Sequence, residues 1–326
     1  MRAAKTFGHE LTLLSGDFNP GHLERFFGFE DLFKEVEVKT YPTDPRQKVG
    51  LYQDLIRRIK AQRKVISDDS GYDLVFSTQD PGYIPDVPKP VIQWGYFPNP
   101  LPKGPYGWPL REHYARKIRR IGLVLAISHY SQTHLDRAWK IPSKLIYPAC
   151  NMVQVRRDKE DLVVTAARGV PEKRLELFWD VAGRCPRYQF VLLLTQDPRF
   201  LEYSRNLQKA IPDNGRVVIN PEKELYQETL ARSKFYLHLM QGEHFGITIV
   251  EAMSAGCVPI VHDSGGPKEI IGDSGYLWQR KEDIPALLVM ADRFQESLSD
   301  SAAKRARIFS RERFDGALGE VLGKTA

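Results

Sequence analysis

Two carboxylates, Glu243 and Glu251, sit eight positions apart in the stretch EHFGITIVEAMSAG. Glu243 stands just before a helix start, and Glu251 falls inside the amphipathic run that follows. The backbone N–H groups of Phe245, Gly246 and Ile247 then face out of a helix N-terminus, which carries about half a positive charge and suits a phosphate. Gly246 permits close backbone approach. Glu251 lies about 7.5 Å further along the axis, so the two carboxylates stand at different distances from the anion. A carboxylate only accepts hydrogen bonds, and the vicinal hydroxyls of a sugar donate them. The set suits a nucleotide-sugar, with the diphosphate at the helix start and one glutamate towards each sugar ring. The plainer alternative makes Glu243 a helix cap and Glu251 a solvated helix position.

Two further groups could serve the same chemistry. The run LVVTAAR leads into RGVPEKR and places Arg168 and Lys173 at a strand's carboxyl end. Two cations there can hold a diphosphate and stabilise its departure, although basic loop residues are common without any such role. SGGPKE (264–269) follows the run VPIVHD, and its glycine pair supplies a tight turn before another helix start. Asp68 and Asp69 have the look of a metal-binding pair, but a helix-to-strand loop before DLVFST is the better reading.

Strands and helices must alternate to place these residues. Strand-like runs HELTLLSG, VEVKTY, DLVFST, PVIQWGYF, LVLAIS and KLIYPA alternate with helical stretches such as GLYQDLIRRIKAQRK and YSQTHLDRAWK. After the charged connector NMVQVRRDKED the alternation restarts with LVVTAAR, YQFVLLLT, RVVIN, FYLHL, VPIVHD and GYLW, again with helices between. Such alternation implies parallel sheets built from βαβ units. The expected class is therefore α/β with two doubly wound Rossmann-like domains, residues 1–150 and 151–305, followed by a C-terminal helix, 306–326, that returns towards the first domain. Ligands in this architecture bind beyond the carboxyl ends of the strands, so a cleft between the domains is the expected site. The Pro-rich stretches YIPDVPKP and FPNPLPKGPYGWP read as a loop system at its mouth.

A chain of 326 residues with 42% hydrophobic content has ample material for two cores. No apolar run approaches the ~18 residues of a spanning helix, and the first twenty residues carry no signal-peptide pattern. Cys150, Cys185 and Cys257 are far apart and odd in number, which excludes a disulfide framework or a metal knuckle and suits a cytoplasmic, reducing compartment. The formal charge is +6, and the whole surplus lies in the first 150 residues. Its densest part is REHYARKIRR, with Arg111, Arg116, Lys117, Arg119 and Arg120. The bland reading is a solvated helix face; the sharper one is a surface for anionic lipid headgroups or a phosphorylated acceptor. No nucleic-acid motif accompanies the charge.

EHFGITIVEAMSAG, with its Glu, seven residues and second Glu, resembles the signature of retaining GT-B glycosyltransferases of family 4. RGVPEK is similar to the Arg-x4-Lys phosphate clamp of that family, and ISHYSQTHL, LIYPAC and FSRERF match its recurring patterns. The block LHLMQGEHFGITIVEAMSAGCVPIVHDSGGPKEII resembles, nearly residue by residue, its α-1,2-mannosyltransferase branch that extends dolichol-linked oligosaccharide. The likeness is strong from about Leu162 onward and loose before Tyr147. It implies a GT-B fold, a nucleotide-diphosphate-sugar donor (GDP-mannose) in the second domain, and a glycan or lipid-linked acceptor against the first. By position, Glu251 would bind ribose hydroxyls and Glu243 the hydroxyls of the transferred sugar. Arg168 and Lys173 would hold the diphosphate with backbone at Phe245 and Gly246, while the base would lie near Asn220 to Glu222. The family implies retention, same-face attack and no metal or other cofactor.

The chain departs from that pattern in two places. MRAAKTFGHELTLLSG reads as the last turns of a first helix, capped by Gly8, and then a second strand, so a first strand and its Gly-rich loop are expected upstream. Losing a central strand would leave two neighbours facing a gap, which raises the alternative of a weak or silent GT-B subunit that binds nucleotide-sugar or a partner chain. A nucleotide-sugar epimerase of the same fold is disfavoured by the paired Arg-x4-Lys and Glu-x7-Glu motifs. Secondly, Tyr96 or Phe97 occupies the region where relatives often place a histidine. Tyr96 can hydrogen-bond an acceptor, but a phenol with a pKa of about 10 is a poor base at neutral pH. His129, His244 and His262 are alternatives, each more simply read as a buried structural histidine, although His244 lies inside the donor motif.

Overall fold

The computed structural model describes residues 1–16, 19–21, 32–41, 50–65, 71–86, 88–155 and 158–323; Asp68 and Asp69 lie outside them. The chain divides into two compact units. The first comprises Met1–Ile127, Ser131–Ile146 and Asp315–Ala326; the second, Ser128–Tyr130 and Tyr147–Phe314. The crossing therefore comes four residues before the expected boundary at 150. Tyr147 lies against Phe245 and Phe309, with ring centroids 6.0 and 4.9 Å away. The Cys150 N–H donates to the Phe309 carbonyl. Most of the last helix, Arg311–Leu322, belongs to the first unit, where Gly319 packs on the Phe7 ring.

In the first unit β1 (Leu11–Gly16) and β2 (Val36–Tyr41) form a parallel pair. A four-stranded parallel sheet follows the order β3-β4-β5-β6, from Val75–Ser77, Val91–Gly95, Ile121–Ala126 and Ser143–Leu145. Among the described residues no ladder joins the two sheets. Its core includes Ile84, Val91, Ile121, Val124, Ala126 and Leu135.

The second unit holds one six-stranded sheet, order β12-β11-β10-β7-β8-β9. Its strands are β7 (Glu160–Arg168), β8 (Gln189–Thr195), β9 (Gly215–Ile219), β10 (Ser233–Leu237), β11 (Val258–His262) and β12 (Tyr276–Trp278). Every pairing is parallel. The runs LVVTAAR and FVLLLT are almost continuously apolar because helices cover both faces, which is the signature of a buried parallel sheet. Phe178, Phe190, Leu192, Leu194, Phe235 and Leu237 fill the core. The strand order reverses between β7 and β10. At such a switch point the chain leaves neighbouring strands in opposite directions and opens a crevice at their carboxyl ends.

Candidate donor site

The loops after β7 and β10 carry the residues singled out above. β7 ends on Arg168 itself, and a 3₁₀ turn, Pro171–Lys173, follows. The Lys173 ammonium donates to Glu243 Oε2. Glu243 Oε1 accepts from the His244 N–H at 3.1 Å. His238, just past β10, brings Nε2 to within 3.5 Å of the same Oε2. Burial pushes the Glu243 carboxyl upward, but the contacts from His238 and Lys173 outweigh it and hold the group well below the usual carboxylate range. The helix cap is Gly246, at φ 108°, where a side chain would be strained. Glu243 is thus the centre of a charge cluster and not a cap.

Helix Ile247–Ser254 is not the amphipathic helix expected: every residue from Ile249 to Ser254 is buried, Glu251 among them, and Ile247 is the exposed one. Its start is tied down from inside. The Tyr236 hydroxyl on β10 donates to Thr248 Oγ1 at 2.7 Å and lies 3.1 Å from the Ala166 carbonyl on β7. Phe245 packs its ring into the aromatic cluster with Tyr147 and Phe309, leaving its backbone as the part suited to a ligand. The next loop fixes the backbone of Glu243 and His244 from behind. The Gly266 N–H donates to the Glu243 carbonyl at 2.8 Å. A Cβ on Gly265 or Gly266 would collide with the backbone of Glu243 or His244.

Glu251 is 7% exposed, so it is no solvated helix position. Its Oε1 accepts from Asn151 Nδ2 at 3.1 Å, and its Oε2 from the Tyr226 hydroxyl at 2.6 Å. Burial raises the Glu251 pKa against the pull of these two hydrogen bonds. The same burial, with the Glu251 charge beside it, drives the Tyr226 phenol well above its usual value. The Asn151 backbone also bonds this carboxylate, so Glu251 is held by its neighbours on both oxygens.

The remaining sequence candidates scatter more widely. Arg168 is largely exposed and lies 3.8 Å from Asp197, whose carboxyl is drawn down to about 2 chiefly by Arg199 hydrogen bonds. Asn220, at φ 46°, turns the chain after β9 and accepts the Gln196 N–H. Glu222 is exposed at the start of helix Lys223–Arg232, the helix that carries Tyr226 to Glu251. His244 is half-buried; His262 is half-buried against Trp278, its pKa lowered by burial and by Arg174. His129 is exposed and does not fit the buried-histidine reading. Its N–H bonds Glu269 Oε1 at 2.9 Å. Tyr96, just past β4, is 52% exposed on the first unit.

The first unit corrects the basic run. Lys117 is 1% exposed and donates to Asp86 Oδ1 and the Ile84 carbonyl, both at 2.6 Å. It is a structural cation and cannot meet a membrane. Arg120 reaches the same Asp86 at 2.9 Å. Arg111 staples the Pro102 and Gly104 carbonyls. On helix Trp108–Ile118 and its C-cap, Trp108, Glu112, Arg116 and Arg119 share one exposed face.

Sequence reasoning missed His238, Tyr226 and Asn151. The histidine was visible as a polar interruption in FYLHLM. Nothing local marked the other two, which meet Glu251 from 25 and 100 residues away.

The glycosyl transferases group 1 family matches residues 152–310. That match lies within the second unit and covers just under half of the chain. Two curated relatives are GDP-Man:Man(3)GlcNAc(2)-PP-Dol alpha-1,2-mannosyltransferases. That of Yarrowia lipolytica is 26% identical over 176 residues, 45% of this chain and 28% of its own length. The Homo sapiens protein is 26% identical over 217 residues, 57% of this chain and 43% of its own length. The chain thus spans less than half the length of these relatives. Among solved structures, Anabaena Alr3699/HepE in complex with UDP superposes with a TM-score of 0.74 at 16% identity, covering 97% of this chain and 100% of its own. The fold is GT-B. Among the described residues no helix is long and apolar enough to cross a membrane.

Proposed function

We propose that this glycosyl transferases group 1 chain is a retaining glycosyltransferase that moves mannose from GDP-mannose to a lipid-linked glycan. One observation carries the reading: the lysine of the β7 loop and the first glutamate of the β10 loop meet at the switch point of the six-stranded sheet. The start of the helix that carries Glu251 follows that glutamate directly. A diphosphate fits such a place because backbone N–H groups, a helix start and fixed cations converge there. In this reading Arg168 and Lys173 hold the diphosphate and stabilise it as a leaving group. Backbone at Phe245, Gly246 and Ile247 assists, with His244 alongside. Glu243 accepts from hydroxyls of the transferred sugar, Glu251 from those of the ribose, and the base lies by Asn220 to Glu222. The cations and the helix start supply the positive charge that a metal would otherwise bring. Turnover is therefore expected to persist in excess EDTA.

Tyr96 belongs to the acceptor side. The mannose, the guanine and the acceptor follow from the relatives' names together with the sequence likeness. The exposed Arg116 and Arg119 suit the anionic, cytoplasmic face of a membrane that presents a lipid-linked acceptor. Calorimetric titration with GDP-mannose and UDP-glucose tests the donor. Selective binding of GDP-mannose is expected. A preference for UDP-glucose would keep the site and overturn the sugar, and no binding by either would overturn the donor site.

A further inference from the structure

His238 is the one member of the charge cluster to which no role has yet been given. It follows β10, its N–H donates to the Ile260 carbonyl, and its own carbonyl accepts from Trp278 Nε1 at 3.1 Å. The backbone is therefore locked on both sides. The residue is 5% exposed. Nε2 faces Glu243 Oε2, while Nδ1 is buried and has no hydrogen-bond partner among the described residues. A buried polar atom left unmatched is costly, on the order of 1–3 kcal/mol, and is rare enough to require a reason.

Nδ1 is the base site of the neutral ring and no donor among the described residues competes for its lone pair, so the surrounding charges decide whether it takes a proton. Four titratable groups bear on the imidazole. Glu243 lies across from Nε2, and Lys173, from the β7 turn, bonds the same carboxylate oxygen. His262 at the end of β11 is close enough for the two imidazoles to repel when charged, and Arg174 adds positive charge beside His262. With Lys173 on Glu243, the carboxylate is already matched by one cation, and a second charge on His238 would be surplus. Burial and Lys173 accordingly favour the neutral imidazole, against the pull of Glu243. A diphosphate changes that balance, because it brings its own negative charge to Lys173 and leaves Glu243 in need of a cation.

We infer that His238 is a positioning residue that takes up one proton from solvent when the donor diphosphate engages Lys173, and so keeps Glu243 ionised and in place beneath the sugar. The inference rests on the donor-site reading above. The neutral ring keeps its Nε2–H towards Glu243 and receives the proton at Nδ1, so the proton count closes with solvent as the source and no other group changed.

The sign follows from linkage. The histidine pKa is higher in the bound state than in the free state. The added affinity is therefore fully present below the free-state pKa and is lost as pH rises through the bound-state pKa. For one coupled proton the slope approaches tenfold in Kd per pH unit between the two values.

The test is calorimetry of the full chain with GDP-mannose in buffers of different ionisation enthalpy. This donor is a diphosphate diester and exchanges no proton of its own near neutral pH. The wild-type protein should show net proton uptake, read as a slope of observed heat against buffer enthalpy. His238→Gln should still bind and lose that slope, while His262→Gln should keep it. A slope unchanged in His238→Gln, or one lost only in His262→Gln, overturns the assignment. Wild-type affinity measured from pH 5.5 to 8.5 is a second reading that needs no variant, and a flat profile overturns it as well. Absence of binding by the wild type at every pH is a different result: it removes the donor site and this inference with it.

Discussion

Two lysine–carboxylate pairs, one in each unit, look alike as contacts and differ in every other respect. Lys117 and Asp86 in the first unit form a closed set. The lysine is buried with a carbonyl as its second acceptor, and the aspartate also receives Arg63 and Arg120. Lys173 and Glu243 in the second unit form an open set. The lysine keeps 23% of its side chain exposed, and Glu243 is shared with a histidine that is itself half satisfied. A buried ion pair whose hydrogen bonds are all used holds a loop in place. One with unused capacity at a sheet's switch point can exchange partners with a ligand. Proximity of charge does not separate structural pairs from functional ones; the unfilled valence does.

Substitutions can break this contrast. The largest effect is expected from Lys173→Ala, and likewise from Arg168→Ala. Removing one fixed donor to a departing anion costs about 10²–10³ in kcat, and steady-state kinetics should show a smaller change in donor affinity than in turnover. Equal losses in both would place these cations in ground-state binding alone.

Asp86→Ala should come next, through stability and not through chemistry. It leaves Lys117 buried without its carboxylate, at a cost of about 3 kcal/mol, measurable as a lowered midpoint in urea. Burial resists ionisation of Asp86, but the hydrogen bonds from Lys117 and Arg63 prevail and hold its pKa down to about 2. Against about 3.9 in the unfolded chain, its contribution is present above pH 4 and fades as pH falls towards 2. Asp86→Asn should lose that acid-dependent part of the stability, and an unchanged acid profile would count against the closed set.

Glu251→Ala should weaken donor binding by about tenfold, with Tyr226→Phe weaker still in effect, on the order of 1 kcal/mol for one hydrogen bond. Titration separates the two. The basic face is expected to leave donor binding and turnover unchanged and to act on membrane association alone. Charge reversal at Arg116 and Arg119 should reduce binding to phosphatidylserine vesicles at low salt by about 1 kcal/mol per residue. Binding indifferent to both charge and salt would leave this face as solvated surface.

The contrast also explains what could be read from the chain. Strands such as LVLAIS and YQFVLLLT were legible because a buried parallel sheet writes itself as apolar runs of the right length. The core of the proposed donor site could be assembled from sequence because Glu243, the helix start and Glu251 are neighbours in the chain, so one helix geometry relates them. Lys117 was misread because periodicity shows only that it lies on a helix. Its acid is 31 residues upstream in a Pro-rich loop. Tyr226 and Asn151 were invisible for the same reason, being brought to Glu251 by tertiary packing alone. The charge state of Glu243 depends on His238, which looked like one more strand residue.

The contact of Gly265 and Gly266 with the backbone of Glu243 and His244 means that the two loops cannot shift independently. A Cβ at Gly266 would fall 2.4 Å from the His244 carbonyl oxygen, so a single added methyl would force the loop next to Glu243 outward while leaving every reacting group chemically unaltered. A graded series there, from glycine through alanine to serine, is in effect a screw for adjusting the spacing between acid and sugar. Turnover measured along it would report how much misalignment the transfer tolerates before it stops.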